Sequence, residues 1–169
     1  MTKSYKEIMP DIKCFIFDVD GVLTDGKLHV AGDGKLLRQV NAKDGYAIKL
    51  ALEQDYKVCL ITAGNDEGIK NSFRQLGVTD IYMNAWHKVE AFEEYIELYE
   101  INPEHIAYMG DDLPDIPVLK KVGLATAPYD ASFQVQEIAD YVSQKKGGEG
   151  CVRDLVEQIM RVQQTWPKP

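Results

Sequence analysis

The feature of this sequence that most restricts its fold is a repeated alternation between short apolar runs and longer amphipathic stretches. The apolar runs are rich in β-branched residues and are continuous, which is typical of strands covered on both faces. They lie at 14–20, 57–62, 80–83, 105–111, 124–128 and 140–143. The stretches between them carry apolar residues three and four positions apart, as helices do, at 44–54, 66–76, 88–100, 114–122 and 151–164. The alternation predicts an α/β fold: a Rossmann-like parallel sheet with helices on both faces.

A chain of 169 residues, 45% of them hydrophobic, can bury a core of its own. We find no internal repeat, low-complexity tract or linker, so we predict a single domain over residues 1–169. The stretch 27–40 lacks a helical period, and its centre at 31–34 has turn chemistry between two strand-like arms. It is predicted to form a projecting β-hairpin, either a bare surface feature or a functional flap.

Charge restricts the partners of the chain. With 19 Lys and Arg against 27 Asp and Glu, the net charge is −8. Such a chain gains nothing from counterion release, so we predict no nucleic-acid partner and no anionic membrane partner. Residues 1–10 lack the apolar core of a signal peptide, and no apolar run approaches the ~20 residues that span a bilayer. Cys14, Cys59 and Cys151 have no metal-binding spacing, which favours free thiols and a cytoplasmic location.

Reactive residue types stand at successive strand ends. Asp18 and Asp20 close the first predicted strand, and Thr62 closes the second. The helix after the third strand begins near Lys88, and Asp111 follows the fourth strand. Ligands of open α/β sheets bind at the carboxyl ends of the strands, so we expect these side chains to converge in one cleft.

These residue types favour phosphoryl transfer. Several carboxylates so close would repel one another unless a cation lay between them, and Mg²⁺ prefers oxygen ligands. One carboxylate can attack phosphorus to form an aspartyl-phosphate, while its neighbour protonates the leaving alcohol and later activates water. Thr62 and Lys88 would donate to the phosphoryl oxygens.

Other interpretations of the acidic strand end are weaker. An isolated Asp-x-Asp pair often only caps a loop. An EF-hand is excluded because Leu23 occupies the position where that loop requires glycine. Residues 21–27 imitate a P-loop, but Leu28 replaces the hydroxyl residue that would hold magnesium. The informative observation is therefore that four features follow successive strands in a fixed order: the pair Asp18 and Asp20, then Thr62, Lys88 and Asp111.

Four segments resemble the motifs of the haloacid dehalogenase superfamily of phosphatases: FDVDGVLT at 17–24, Thr62, Lys88 and GDDLPD at 110–115. The resemblance implies that Asp18 is the nucleophile and Asp20 the general acid/base. It implies that Thr62 and Lys88 bind the phosphoryl group. Only 41 residues separate Asp20 from Thr62, and 25 separate Thr62 from Lys88, so the chain resembles a member without a cap domain.

The same resemblance implies a Mg²⁺ cofactor. Its ligands would be Asp18, the main-chain carbonyl of Asp20, and Asp111. Asp112 and Asp115 would be supporting carboxylates.

Finer features resemble one family of this superfamily, the 3-deoxy-D-manno-octulosonate 8-phosphate phosphatases of lipopolysaccharide biosynthesis in Gram-negative bacteria. They are the opening FDVDGVLTDG, NAKDG at 41–45, GDDLPD, and the tail GGEGCVRD at 147–154. The resemblance implies that the substrate is this eight-carbon sugar-acid phosphate. It implies substrate contacts at Asp20, Asn41, Ala42, Lys43, Asp44, Gly45, Lys49, Gly64 and Lys88, with Arg153 in support.

Two positions depart from the family pattern. Gly64 stands where the family usually has the arginine of Thr/Ser-Gly-Arg, and Ser72 stands where a further arginine is expected. Glycine and serine do not replace the bidentate fork of arginine, so we hypothesise that Lys43, Lys70 or Arg74 compensates. Two alternatives stay open: a phosphatase for a related nine-carbon keto-deoxy sugar acid 9-phosphate, and a catalytically silent scaffold of the same fold.

The hairpin at 27–40 also predicts assembly. It carries more apolar residues than a solitary two-stranded ribbon should show to water, namely Leu28, Val30, Leu36, Leu37 and Val40. We predict a homo-oligomer, and the resemblance implies a tetramer. In this oligomer the hairpins would pack together. The C-terminal tail, which begins with a glycine-rich segment and carries Arg153, would close the cleft of a neighbouring subunit.

Overall fold

Strands and helices alternate along residues 4–168, the part of the chain that the computed structural model describes. The strands are β1 (Cys14–Phe17), β2 (His29–Val30), β3 (Leu36–Leu37), β4 (Lys57–Ile61), β5 (Asp80–Tyr82), β6 (Ile106–Met109), β7 (Leu124–Ala127) and β8 (Tyr141–Val142). The helices are α1 (Tyr5–Ile8), α2 (Ala42–Glu53), α3 (Glu67–Gln75), α4 (Lys88–Leu98), α5 (Ile116–Leu119), α6 (Phe133–Ile138) and α7 (Cys151–Val162). Every predicted strand and helix has a counterpart. The sequence analysis missed α1 and α6, because helices so short show no clear apolar period.

Six strands form one parallel sheet in the order β5-β4-β1-β6-β7-β8. Counted along the chain, this is the 3-2-1-4-5-6 order of Rossmann-like folds, so the predicted fold class is confirmed. The strand order reverses between β1 and β6, which opens a crevice at the carboxyl ends of these two strands. The residues that follow β1 and β6 therefore meet at this crevice.

Both faces of the sheet are covered. Phe15 and Phe17 of β1 pack into one apolar cluster with α2, α3 and α7. Cys14 and Ile16 point to the other face and pack with α4, α5 and α6. Burying one large apolar side chain contributes about 1.5–3 kcal/mol, which is why the strands are apolar at every position. No cap domain is inserted between the strands within residues 4–168, as predicted.

The predicted hairpin is confirmed. β2 and β3 pair antiparallel, with Val30 opposite Leu36. The Ala31 amide donates to the main-chain oxygen of Lys35 at 2.8 Å and closes the turn. The five apolar side chains predicted for the hairpin are all exposed: Leu28, Val30, Leu36, Leu37 and Val40.

The C-terminal segment belongs to the core of its own chain. The buried residues of α7 are Cys151, Val152, Leu155, Val156, Ile159 and Met160. After α7, the Gln163 side chain donates to the main-chain oxygens of Met9 and Ile12, both at 2.8 Å. The Arg153 guanidinium lies 4.8 Å from the Trp166 ring centroid. Residues 147–168 therefore pack against their own chain, and the closing of a neighbouring subunit's cleft by this tail stays a prediction.

The cysteines are free and buried, as predicted. Burial raises the pKa of Cys14 to about 12, so this thiol stays neutral at physiological pH. Among residues 4–168, no helix is long and apolar enough to cross a membrane.

Candidate active site

The loop after β1 carries the first two acidic residues into the crevice. The Asp18 amide donates to the main-chain oxygen of Met109 at the end of β6, at 3.1 Å. The Asp18 Oδ1 atom accepts from the Val19 amide at 2.7 Å, which orients the carboxylate at the strand end. The sheet therefore fixes the base of this side chain before the chain turns away.

A close approach between two loops depends on Gly21. Its φ of +90° lies in the left-handed region, which residues with a Cβ disfavour. A Cβ at this position would also collide with the carboxylate of Asp111. The Thr24 Oγ1 atom accepts from the amides of Gly21 and Gly26, at 3.3 and 3.1 Å, and fixes the turn. The loop after β1 is thereby held against the loop after β6.

Lys88, the first residue of α4, lies buried between two carboxylates. Its Nζ atom is 2.9 Å from Asp18 Oδ1 and 2.6 Å from Asp115 Oδ1. Burial alone would lower the pKa of Lys88, but the negative charges of Asp18 and Asp115 outweigh burial and raise it. The lysine is therefore a permanent cation beside the predicted nucleophile.

Asp115 is fully buried and holds this part of the site together. Its Oδ1 atom accepts from Lys88 Nζ and from the Tyr108 hydroxyl, both at 2.6 Å. Its Oδ2 atom accepts from the amides of Asp111 and Asp112, at 3.0 and 3.3 Å. One carboxylate thus ties α4, β6 and the loop after β6 to one another.

Two carboxylates of the site, those of Asp18 and Asp111, have pKa values above those of ordinary aspartates. Burial, followed by the charge of Asp115, raises the pKa of Asp18 well above its usual range despite the opposing effect of Lys88. Burial and the charge of Asp115 likewise raise the pKa of Asp111 to about 6. A second cation would relieve this excess negative charge.

The donor set fits Mg²⁺. Asp18, Asp111 and Asp115 offer carboxylate oxygens within 4.8 Å of one another. Both oxygens of Asp115 are already occupied by hydrogen bonds, so Asp18 and Asp111 are the two carboxylates that could hold an ion. Mg²⁺ is usually bound through one or two carboxylates and keeps several waters. Asp112 differs, because its Oδ1 atom accepts from the Leu113 amide at 2.8 Å and caps the following turn.

The structure brings the predicted catalytic residues together. One cleft of about 270 Å³ is lined by Asp18, Asp20, Thr62, Lys88 and Asp111. The Thr62 Oγ1 atom accepts from the Gly64 amide at 3.0 Å, which leaves the hydroxyl proton to be donated. A wider groove of about 1230 Å³ runs between the hairpin and the start of α3 and also reaches Asp20.

The sequence analysis missed Arg38, the residue after β3. Its Nε and Nη2 atoms donate to Asp20 Oδ1 and Oδ2, at 2.7 and 3.1 Å, and its Nη1 atom donates to Asp66 at 3.1 Å. The hydrogen bond with Asp20 is the main reason why the pKa of Arg38 is raised. The available sequence signal was a basic residue at the end of a predicted hairpin arm, which does not show its partner.

The hypothesis that Lys43, Lys70 or Arg74 compensates for the missing arginines is not supported within one chain. Lys70 pairs with Glu67 at 3.7 Å, and Arg74 is exposed on α3. The cation beside Gly64 is Arg38 instead, since a Cβ built on Gly64 would lie 2.9 Å from its Nη2 atom.

The predicted substrate contacts on α2 lie outside the cleft. Asn41, Lys43 and Arg153 line a separate cavity of about 560 Å³ between the starts of α2 and α7. Asp44 is buried and caps α7, because its Oδ1 atom accepts from the Arg153 amide at 2.8 Å. Ala42 is exposed.

Two further α2 positions are explained by packing and surface charge. Gly45 packs against Leu76, because a Cβ at position 45 would lie 3.0 Å from the Leu76 Cδ1 atom. Lys49 pairs with Glu53 on the surface at 3.8 Å. Within one chain these positions serve in packing, capping and surface charge pairs, and their contacts with substrate stay a prediction.

Comparison with known proteins agrees with this geometry. A model of haloacid dehalogenase-like hydrolases matches residues 77–154. A 3-deoxy-D-manno-octulosonate 8-phosphate phosphatase of Escherichia coli strain K12 is 39% identical over 153 residues, which cover 90% of this chain and 81% of that protein. The chain belongs to the 3-deoxy-D-manno-octulosonate 8-phosphate phosphatase family. The family predicted from the motifs is thereby confirmed.

Solved structures of the family share the fold. The phosphatase of Yersinia pestis superposes with a TM-score of 0.93 at 34% identity, covering 96% of this chain and 88% of that one. The phosphatase of Moraxella catarrhalis, solved in complex with a magnesium ion, a phosphate ion and a KDO molecule, superposes with a TM-score of 0.91 at 27% identity. That comparison covers 94% of this chain and 91% of the other.

Proposed function

We propose that this chain is a Mg²⁺-dependent phosphomonoester hydrolase that converts 3-deoxy-D-manno-octulosonate 8-phosphate to 3-deoxy-D-manno-octulosonate and phosphate. The observation that carries the proposal is the buried contact of 2.9 Å between Lys88 and Asp18, in a cleft that also contains Asp20, Thr62 and Asp111. Membership of the family supports the substrate.

In the first half-reaction, a carboxylate oxygen of Asp18 attacks the phosphorus atom, and the bond between phosphorus and the sugar oxygen breaks. The carboxyl proton of Asp20 passes to the departing oxygen. The products of this step are the free sugar acid, an aspartyl-phosphate on Asp18 and a carboxylate on Asp20.

In the second half-reaction, a water molecule attacks the phosphorus atom of the aspartyl-phosphate while the Asp20 carboxylate takes one of its protons. The bond between phosphorus and Asp18 breaks, which releases inorganic phosphate. Asp18 is again a carboxylate and Asp20 again carries its proton, so the cycle closes.

Charge compensation comes from groups already in place. Lys88 Nζ and the Thr62 hydroxyl would donate to the phosphoryl oxygens as negative charge moves from one to another. Bound Mg²⁺, held by Asp18, Asp111 and the main chain of Asp20, would supply further positive charge. Lys88 is buried, so solvent screens its positive charge less and the charge acts more strongly on the phosphoryl oxygens.

A second substrate is favoured by one observation. The groove of about 1230 Å³ is lined by Gly64 and Ser72, the positions where the family pattern has arginines. A wider groove could hold a nine-carbon keto-deoxy sugar acid phosphorylated at position 9. The test is kcat/KM for the eight-carbon and the nine-carbon compound with Mg²⁺ present. A nine-carbon preference above about 10-fold, worth about 1.4 kcal/mol, would reassign the substrate.

The same assay separates an enzyme from a silent scaffold. We expect phosphate release by the native chain and none by Asp18→Asn. Absence of phosphate release from any compound in a panel of sugar phosphates, with the native chain and Asp18→Asn indistinguishable, would contradict the proposed function.

We further propose a homotetramer assembled through the hairpin. Val30 and Leu37 are 68% and 53% exposed, and neighbouring apolar residues extend the same surface. Light scattering should give four times the chain mass of 19.1 kDa. The double variant Val30→Ser/Leu37→Ser should lower this mass, whereas Leu98→Ser, an exposed apolar residue of α4, should not. A native monomer would contradict the proposal.

Two further proposals concern the cellular compartment and the domain organisation. The buried free thiols of Cys14, Cys59 and Cys151 support a reducing, cytoplasmic compartment. The two apolar clusters share one sheet, which supports a single domain over residues 1–169. Fractionation of the source cells tests the compartment, and a single cooperative unfolding transition tests the domain.

A further inference from the structure

We propose that Arg38 is a positioning residue that holds the general acid/base Asp20 in its working orientation, in a space that exists because residue 64 is glycine. The inference rests on the proposed function, since it requires Asp20 to exchange protons with the leaving oxygen and with water. It gives the hairpin segment 27–40 a direct connection to the chemistry of the cleft.

The orientation of the Asp20 carboxylate is set by one side chain. Arg38 Nε donates to Oδ1 at 2.7 Å and Nη2 donates to Oδ2 at 3.1 Å. Among residues 4–168, these are the hydrogen bonds that the Asp20 carboxylate accepts. A planar guanidinium that binds both oxygens fixes the plane of the carboxylate as well as its distance. Without Arg38, Asp20 would be free to rotate about its side-chain bonds.

Arg38 is itself anchored on the opposite side. Its Nη1 atom donates to Asp66 Oδ2 at 3.1 Å. The other oxygen of Asp66 accepts from the Ile69 amide at 3.1 Å and caps α3. The Arg38 side chain is only 6% exposed, so water competes little for these bonds. The start of α3 therefore determines, through Asp66 and Arg38, how Asp20 faces the cleft.

Gly64 makes room for the guanidinium. A Cβ at position 64 would lie 2.9 Å from Arg38 Nη2 and 3.5 Å from Asp20 Oδ2. Any side chain there must displace Arg38 or be displaced by it. A side chain at position 64 would therefore shift the guanidinium away from its observed contact with Asp20, whereas glycine leaves that contact undisturbed.

This arrangement favours the first proton transfer of Asp20 and keeps the carboxylate oriented for the second. When the proton leaves for the sugar oxygen, Asp20 becomes the carboxylate that Arg38 stabilises. The same carboxylate then takes a proton from water. A positioned general acid contributes roughly 10²–10⁴-fold, but only where the leaving oxygen needs a proton. The fall in rate caused by removing Arg38 should therefore depend on whether the leaving oxygen needs a proton.

The experiment compares Arg38→Ala with the native chain on two substrates with Mg²⁺ present. The first is the eight-carbon sugar-acid phosphate, whose alkoxide needs a proton to leave. The second is p-nitrophenyl phosphate, whose leaving oxygen departs without one. For Arg38→Ala we expect kcat to fall at least about 30-fold on the sugar phosphate, with little change in KM, and less than about 3-fold on the aryl phosphate. Because Arg38 also lines the groove, a loss confined to KM would indicate a sugar contact and overturn the positioning role. Arg38→Lys, which keeps the charge and loses the fork, should lie between.

Lys27→Ala is the control for Arg38→Ala, and Gly32→Ala is the control for a second test variant, Gly64→Ala. Lys27→Ala removes a positive charge from the same hairpin at a side chain that is 89% exposed, and should change neither substrate. Gly64→Ala should reproduce part of the selective loss on the sugar phosphate without removing Arg38. Gly32→Ala should be silent, because nothing lies within 4 Å of a Cβ at that position.

The outcomes separate the inference from the function on which it rests. Equal losses on both substrates, or no loss on the sugar phosphate, would overturn the positioning role while leaving the phosphatase intact. A native chain that hydrolyses neither substrate would overturn the proposed function. If Arg38→Ala does not fold, as judged by its thermal transition, the contrast between Gly64→Ala and Gly32→Ala decides the question.

Discussion

Aspartates are buried in two regions of this molecule, and the chain compensates them differently. In the crevice between β1 and β6, Lys88 lies within 2.9 Å of both Asp18 and Asp115. At the seam between α2 and α7, Asp44 Oδ1 accepts from the Arg153 amide at 2.8 Å, while Oδ2 has no hydrogen-bond partner among the described residues. The crevice receives a buried cation in direct contact, whereas the seam receives main-chain amides and a weaker effect from the charge of Arg153.

The difference shows what each aspartate has to do. Burial raises the pKa of Asp44 to about 6, and the amides of Arg153 and Gly150 offset this only in part. Asp44 joins two helices, a role that does not require a cation in direct contact with its carboxylate. Asp18 must act as an anion, so the chain places Lys88 beside it and leaves room for a metal ion. Four experiments would break or sharpen this contrast.

The largest effect should follow from Asp18→Asn. Removal of the nucleophilic oxygen should lower kcat on the order of 10⁴-fold or more, with Mg²⁺ present. The amide keeps the shape of the side chain, so circular dichroism should show a folded protein. Asp33→Asn, at the exposed turn of the hairpin, is the control and should keep native kcat. If Asp18→Asn kept more than a tenth of native kcat, Asp18 would not be the nucleophile, and the crevice would not require an ionised aspartate.

The next effect concerns stability. Lys88→Met should lower the free energy of unfolding by about 3–5 kcal/mol, because two buried carboxylates lose their cation. Lys121→Met removes an exposed lysine that lies 3.1 Å from Glu93, and should cost less than about 1 kcal/mol. Urea denaturation measures both. Similar losses for the two variants would mean that burial does not amplify the charge of Lys88.

At the seam, Asp44→Asn should reveal a pH dependence. The unfolded carboxyl ionises near 3.8, whereas the folded one ionises near 6, so the folded chain binds the extra proton between these values. Native stability should therefore fall as pH rises from about 4 to about 6, by up to about 3 kcal/mol from this group. Asp44→Asn lacks that loss, so its stability relative to native should increase with pH. A difference that stays constant from pH 4 to pH 7 would contradict the assignment.

The smallest effect should be the pH dependence of Mg²⁺ binding. A proton on Asp111, whose pKa is raised to about 6, competes with the ion. Mg²⁺ affinity, measured by calorimetry or by the shift in Tm, should be at least about four-fold weaker at pH 5.5 than at pH 7.5. Asp111→Asn should remove the share of the dependence that comes from Asp111 and leave the share of Asp18, whereas Asp44→Asn should leave the whole dependence intact. Equal affinity at both pH values would show that Asp111 does not titrate in this range.

The crevice was predictable because its residues are tied to strand ends. The sheet places Asp18, Thr62 and Asp111 at one edge once the strands are parallel, and Lys88 begins the helix after β5. This is local information: an apolar run, its end, and the polar residue that follows. The hairpin was predictable for the same reason, from a turn between two arms.

The seam and the hairpin side of the cleft were not predictable in this way. Asp44 meets the Arg153 amide across 109 residues, and Arg38 meets Asp20 across 18 residues and Asp66 across 28. No period or spacing marks these partners. The sequence analysis considered Lys43, Lys70 and Arg74 as compensating cations and missed Arg38, because sequence distance does not show which charged side chain fills a given space.

By itself, the sequence determined the α/β alternation, the strand ends that carry the chemistry, and the family. Apolar periodicity and strand termination are properties of short segments, so they can be inferred before the chain is folded. Only the tertiary structure decided that Arg38 lies against Gly64 and Asp20, that Asp115 is occupied by Lys88 and Tyr108, and that α7 belongs to the core. Those outcomes depend on which distant side chains compete for one volume, and that competition is settled only when the sheet and helices have packed.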